Sequence, residues 1–167
     1  MAFETIFNGR TRRDAALIPL RLALGSTMVY HGSSKLRGEG PQQTARMFEQ
    51  LAIRPPRAWA VATGLAETFA GVASILGVMT RPAAVAVLVT QAVAIARVHA
   101  SKGFNVMQGG FEYNLALMAI AAGLLVEGPG RASTHELLER VVEGRGGRRL
   151  WRRARPTLLS RAVRAFR

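Results

Sequence analysis

Pro82-Ala-Ala-Val-Ala-Val-Leu-Val-Thr90-Gln91-Ala-Val-Ala-Ile-Ala-Arg97-Val-His99 is the stretch whose reading decides the fold. From Ala83 to Ala96 only Thr90 and Gln91 are polar, so a helix here shows no polar stripe to water. The run is long, alanine-rich and does not alternate, which excludes a half-buried strand. A helix apolar on every side belongs in lipid or deep in a large core. A chain of 167 residues is too small to build such a core.

Three further runs flank it. Ala15 to Ser34 reads AALIPLRLALGSTMVYHGSS, with Pro19 near its start, where a proline is tolerated. Ala58 to Met79 reads AWAVATGLAETFAGVASILGVM, with the single ionisable residue Glu67 near its middle. Glu112 to Val126 reads EYNLALMAIAAGLLV, short for a span unless Gly109-Gly110-Phe111 joins it. A crossing needs about 20 residues for a ~30 Å hydrocarbon layer. The expected fold is all-α: a four-transmembrane-helix bundle with short surface helices in the first loop and in the C-terminal tail.

The composition agrees. Hydrophobic residues make up 49% of the chain beside a net charge of +13, and the two coexist because the basic residues crowd the ends. Residues 1–14 form a basic N-terminus, 15–130 the four-helix membrane domain, and 131–167 an arginine-rich tail without lysine. Thr11-Arg12-Arg13 before an apolar run has the look of a twin-arginine signal. Arg21 interrupts the apolar region and no A-x-A-like site follows, so a retained first helix is expected, N-capped by Asp14. Cysteine is absent, which removes disulfides, thiolate metal sites and thiol redox chemistry. Any redox role therefore draws on a partner's cofactor, a diffusible quinone or a metal without sulfur ligands. No G-x-S-x-G, P-loop or G-x-G-x-x-G is present.

The loops are equally legible. TARMFEQLAI, closed by Pro55-Pro56, predicts a surface helix between the first two runs. Met79-Thr80-Arg81-Pro82 predicts a tight turn between the second and third. Glu127-Gly-Pro-Gly130 stops the fourth helix, and Ser133-Thr-His-Glu136 forms a capping box for a short helix. In the tail, Leu150, Trp151, Leu158, Leu159, Ala162, Val163 and Phe166 recur at three- and four-residue spacing among arginines. That is the pattern of a helix lying on anionic lipid headgroups. No nucleic-acid module accompanies the basic residues, so nucleic acid is not an expected partner. Four spans put both termini on one side, and the arginine clusters assign that side to the cytoplasm of a bacterial inner membrane.

The polar groups inside the apolar runs are the candidate site. A charge at the bilayer centre costs roughly 2.5–3.5 kcal/mol on insertion scales, so such residues turn inward and find partners. His31 and Lys35 end the first helix on the outer side, Arg97 and His99 end the third there, and Glu112 with Tyr113 opens the fourth. Glu67 lies below them, roughly 14 Å into the second helix at about 1.5 Å per residue. Gln91 joins the inward face of helix three. Arg21 sits in the other half and is expected to snorkel. His31, Lys35, Glu67, Gln91, Arg97, His99, Glu112 and Tyr113 are thus the candidate ligand-binding or proton-relay residues. No i,i+4 ligand pair lies on one helix, so no metal is expected. A purely structural ion-pair cluster remains the competing reading.

His31-Gly32-Ser-Ser-Lys35-Leu36, Gly64-Leu-Ala-Glu67 with Gly71, and Leu76-Gly77-Val-Met-Thr80-Arg81 with Ala83-Ala84 resemble, in order, motifs of the DoxX-type membrane proteins. Val98-His99-x-x-x-Gly103-Phe104, Gly109-Gly110-x-Glu112-Tyr113 and Gly128-Pro129-Gly130-Arg131-x-Ser133 continue the likeness, which covers about Leu17 to Leu138. The resemblance implies a four-helix inner-membrane protein linked to membrane oxidoreductase assemblies and oxidative-stress defence. The related DoxD proteins are tied to thiosulfate:quinone oxidoreductase. It implies an accessory subunit more than a stand-alone enzyme, with no intrinsic cofactor, a quinone or other small molecule as ligand, and redox proteins or a second copy as partners. A small-solute or proton transporter and a ligand-free scaffold are the alternatives. The arginine-rich tail after Glu143 departs from the compact family ending.

Overall fold

The computed structural model describes residues 9–136. Residues 1–8 and 137–167, with the arginine-rich tail and its expected surface helix, lie outside them. Among the described residues the regular structure is helical throughout. The elements are α1 (Gly9–Leu36), α2 (Gly40–Gln50), α3 (Pro56–Leu76), α4 (Thr80–Ala94) and α5 (Glu112–Glu127). Beyond Ala94 the fourth helix continues as a π-turn, Ile95–His99, and a 3₁₀ turn, Ala100–Lys102. A second 3₁₀ turn, Val106–Gln108, interrupts the loop before α5.

Side-chain size sorts these helices inside out relative to a soluble bundle. On α3 the buried residues are Ala60, Gly64, Glu67, Ala70, Gly71, Ala73 and Ser74, while Leu65, Phe69, Val72 and Leu76 are exposed. On α4, Ala83, Ala84 and Val87 are buried and Val85, Val89 and Val93 are exposed. Apolar residues on the outside have no reason to avoid lipid, and small residues inside let backbones approach closely. Among the described residues two helices are long and apolar enough to cross a membrane: Pro56–Leu76, of 21 residues, and Thr80–Lys102, of 23. Helix α1 is longer still but carries Arg21 and Lys35, and α5 has 16 residues.

The tightest seam joins α1 to α3. A Cβ on Gly71 would stand 2.7 Å from the Gly25 carbonyl oxygen and 2.6 Å from the Val29 nitrogen. On Gly32 it would stand 2.7 Å from the Gly64 carbonyl oxygen. Only glycine permits this approach, so the motif glycines set the distance between the two helices.

The bundle has two ends. At the turn end α3 stops at Gly77, left-handed with φ +64°. Its N–H reaches the Ser74 carbonyl at 3.2 Å while that of Val78 reaches Ala73 at 3.0 Å, the Schellman closure. At the loop end lie the C-terminus of α1, helix α2, and residues 103–111, which fold back on themselves through bonds from Phe111 N to Gly103 O and Glu112 N to Phe104 O.

Several expectations are refined. The first helix has begun by Gly9, so Asp14 is not its N-cap; its Oδ1 instead accepts from the Arg131 N–H at 3.0 Å. The fourth run does not absorb Gly109-Gly110-Phe111, because Gly109 turns left-handed at φ +80° and the loop bonds to itself. The first-loop helix is present as α2. Within the capping box, Ser133 Oγ accepts from Glu136 N at 3.2 Å.

Candidate functional site

Two turns of α3 separate Pro56 from a wall of small residues, Ala62, Thr63 and Ala66, and α4 offers Ala92 and Ala96 opposite. Small side chains on facing helices leave volume between them, and α2 supplies the third wall. The result is a cavity of about 1010 Å³ in the loop-end half, with Phe48, Ile53, Trp59 and Val93 among its apolar lining. Cavities of ~300–1,000 Å³ hold small organic ligands. Val89 is 57% and Trp59 52% exposed although both line it, so the cavity opens along its side.

Four of the sequence-predicted residues line this cavity: Lys35, Glu67, Arg97 and His99. Lys35 Nζ donates to Glu67 Oε2 at 2.7 Å, with side-chain exposures of 20% and 7%. The same ammonium donates to the His31 carbonyl at 3.3 Å. The H-G-x-x-K-L segment therefore has a physical reading: Gly32 brings α1 against Gly64 and Thr68, and one turn later Lys35 reaches Glu67.

Arg97 and His99 are placed by the π-turn. A π-turn carries an extra residue per turn and re-aims the side chains beyond it, and such turns recur at functional sites. Arg97 Nη2 donates to the Leu51 carbonyl at 2.9 Å, tying the loop after α2 to α4. His99 Nδ1 donates to the Gly109 carbonyl at 2.6 Å, tying the 103–111 loop to the same turn. That bond makes Nδ1 the protonated nitrogen and leaves Nε2 as the acceptor of the neutral ring.

The other four lie elsewhere. His31 is half-buried, edge-on to Tyr30, and does not line the cavity. Gln91 is buried on the opposite face of α4, where its Oε1 accepts from Asn114 Nδ2 at 2.7 Å. Glu112 Oε2 accepts from Val106 N at 3.0 Å and so braces the loop. Tyr113 is 42% exposed, its hydroxyl 3.4 Å from Thr27 Oγ1. Period alone could not separate these faces, because α4 turns through a π-turn and α5 starts only at Glu112.

Arg21 is the residue whose role the sequence misjudged. It does not snorkel. It is 5% exposed and donates to four carbonyls: Ser74 at 3.0 Å, Ile75 at 2.8 Å, Pro129 at 3.0 Å and Ala132 at 2.7 Å. Two of these, Ser74 and Ile75, lie in the last turn of α3, where a cation also meets the negative end of the helix dipole. Trp59 and the α2 residues Met47 and Phe48 were missed as cavity walls. The apolar face of α2 was the available signal. Among the described residues no group of histidine and acidic side chains could hold a metal.

A helical bundle with small residues at its seams, apolar residues outside and two helices of membrane-crossing length defines a membrane-associated protein. The DoxX family model matches residues 16–100, half of the chain, and the chain belongs to the DoxX family. The match runs from α1 to the end of the π-turn and so includes Lys35, Glu67, Arg97 and His99. Comparisons with curated proteins and with solved structures returned no match.

Proposed function

We propose that this protein is a four-span inner-membrane subunit that binds a quinone or similar small amphiphile and serves a membrane oxidoreductase assembly. The observation that carries the reading is the Lys35–Glu67 pair set in the wall of a largely apolar cavity of about 1010 Å³. A pair that served packing alone needs no such volume beside it. In this reading α1 and α5 cross the bilayer with α3 and α4, both termini are cytoplasmic, and the loop end faces outward. The side opening at Val89 and Trp59 then faces acyl chains, through which a membrane-dissolved ligand enters.

The residues present fit a quinone. Lys35 offers a donor to a ring carbonyl, Glu67 and His99 Nε2 offer acceptors to a quinol hydroxyl, and Trp59, Phe48 and Ile53 supply apolar surface. A bound quinone would supply a two-electron, two-proton couple. The chain's own contribution is to hold the ring in a site of low dielectric and to keep an ionisable pair against it.

Purification in a mild neutral detergent, followed by solvent extraction and chromatography, tests this. A near-stoichiometric quinone is expected with the wild-type chain and none with Lys35→Met/Glu67→Leu. Equal quinone content in both would remove the site from this cavity, and none in either would remove the quinone.

A further inference from the structure

The cavity has two polar stations, and they differ in charge. At the first, Lys35 and Glu67 neutralise each other at 2.7 Å. At the second, Arg97 lies about two helical turns, ~10 Å, beyond Thr90 along the fourth helix. Both Arg97 and Thr90 line the cavity. Among the described residues no carboxylate pairs with Arg97. Its recorded bond runs from one nitrogen to the Leu51 carbonyl, which leaves most of the five guanidinium N–H donors uncommitted. His99 stands beside it on the same π-turn with Nδ1 held by Gly109, so the neutral ring has no free N–H to offer and Arg97 is the donor at this station. Glu112, the nearest carboxylate in sequence, is occupied by the Val106 N–H.

An exposed guanidinium without a carboxylate partner at one end of an apolar cavity selects a ligand of a definite kind. The fork of donors matches an oxyanion with two acceptor oxygens, and the apolar walls match a hydrocarbon body. We infer that Arg97 forms a mouth station for the oxyanion head of a single-chain anionic amphiphile, whose chain occupies the cavity toward Lys35–Glu67. The inference rests on the cavity being an amphiphile site and adds a second ligand class to it. Because both ligands use the same apolar volume, the anionic amphiphile competes with a quinone. The head is a carboxylate or a phosphate monoester; these share the chemistry that the fork recognises.

Trp59 lines the cavity and reports occupancy. The chain has two tryptophans, so Trp151→Phe leaves Trp59 as the sole emitter. The full-length variant in neutral detergent micelles is titrated with nitroxide-labelled stearic acid and, separately, with its methyl ester. The acid should quench Trp59 at lower concentration. Arg97→Gln should weaken the acid about tenfold, the scale of one charge-assisted contact, and leave the ester unchanged. Arg97→Lys, which keeps the charge but loses the fork, should fall between. Unchanged ester quenching shows that the Arg97→Gln cavity is intact.

Equal acid affinity in wild type and Arg97→Gln overturns the inference while the amphiphile reading stands. Absence of quenching by both probes overturns the two together. Competition by dodecyl phosphate but not dodecanoate assigns the head to phosphate, and the reverse assigns it to a free carboxylate. Either result supports the mouth station.

Discussion

Helix α1 turns two cations inward, one at each end of the bundle, and they are satisfied in opposite ways. Arg21 at the turn end is saturated by four backbone carbonyls from the end of α3 and from the segment after α5. Lys35 at the loop end has a carboxylate partner and a cavity beside it. A backbone carbonyl cannot take up or release a proton and cannot move without the helix. A carboxylate can do both. The same residue class, placed on one helix, thus locks one end and leaves the other able to respond to a ligand.

The largest expected effect breaks the locked end. Arg21→Ala takes the side-chain donor from the Ile75, Pro129 and Ala132 carbonyls, while the Ser74 carbonyl keeps the Gly77 N–H; a carbonyl left buried without a donor costs about 1–3 kcal/mol. The loss should reach about 3 kcal/mol or more, enough to remove folded protein from detergent extracts. Gel filtration and thermal unfolding of the purified variant measure it. Arg21→Lys should recover part of the loss, since an ammonium is a compact charge that lacks the planar fork. A fully stable Arg21→Ala protein would show that the guanidinium does not hold the two segments together.

The responsive end should break differently. Glu67→Ala leaves the Lys35 charge unpaired in an apolar wall. Removing one partner of a buried pair costs about 3–5 kcal/mol, and the 20% exposure of Lys35 should reduce that to about 2–3 kcal/mol. Replacing both, as in Lys35→Met/Glu67→Leu, should bring stability back to within about 1 kcal/mol of wild type. Ligand affinity, read from Trp59 quenching by a short-chain quinone, should not return with it. Recovery of both stability and binding would make the pair a packing device.

The same contrast explains what the sequence made legible. The helices were readable because their apolar runs are long and lack a polar stripe; the turn between the second and third was expected at Met79–Pro82 and falls earlier, at the left-handed Gly77, with the next helix starting at Thr80. The Lys35–Glu67 contact was half-visible: both residues were candidates, but their pairing depends on the glycine seam that brings α1 to α3. Arg21 was misread because a lone arginine in an apolar run has no sequence signal for four carbonyls that lie far along the chain. The cavity was readable only in four of its polar residues, not in its apolar walls. It exists because facing positions on α3 and α4 are alanine and because α2 folds over them. Nor could periodicity anticipate the π-turn, which decides where Arg97 and His99 point.

The smallest expected effect tests whether the responsive region extends past the cavity. Gln91 was grouped with the cavity residues by helical phase, yet it is 5% exposed and bonded to Asn114 across the α4–α5 interface. Interhelical hydrogen bonds of this kind average about 0.6 kcal/mol in membranes. Gln91→Leu/Asn114→Leu removes both amides and should cost no more than about 1 kcal/mol in thermal unfolding. Either single change should cost more, because it leaves one buried amide without its partner. Quinone and fatty-acid quenching of Trp59 should be unchanged in the double variant, since neither side chain lines the cavity. A drop in either affinity would mean that the α4–α5 interface is coupled to the cavity. The boundary between locked and responsive regions would then lie on the far side of α4 rather than along it.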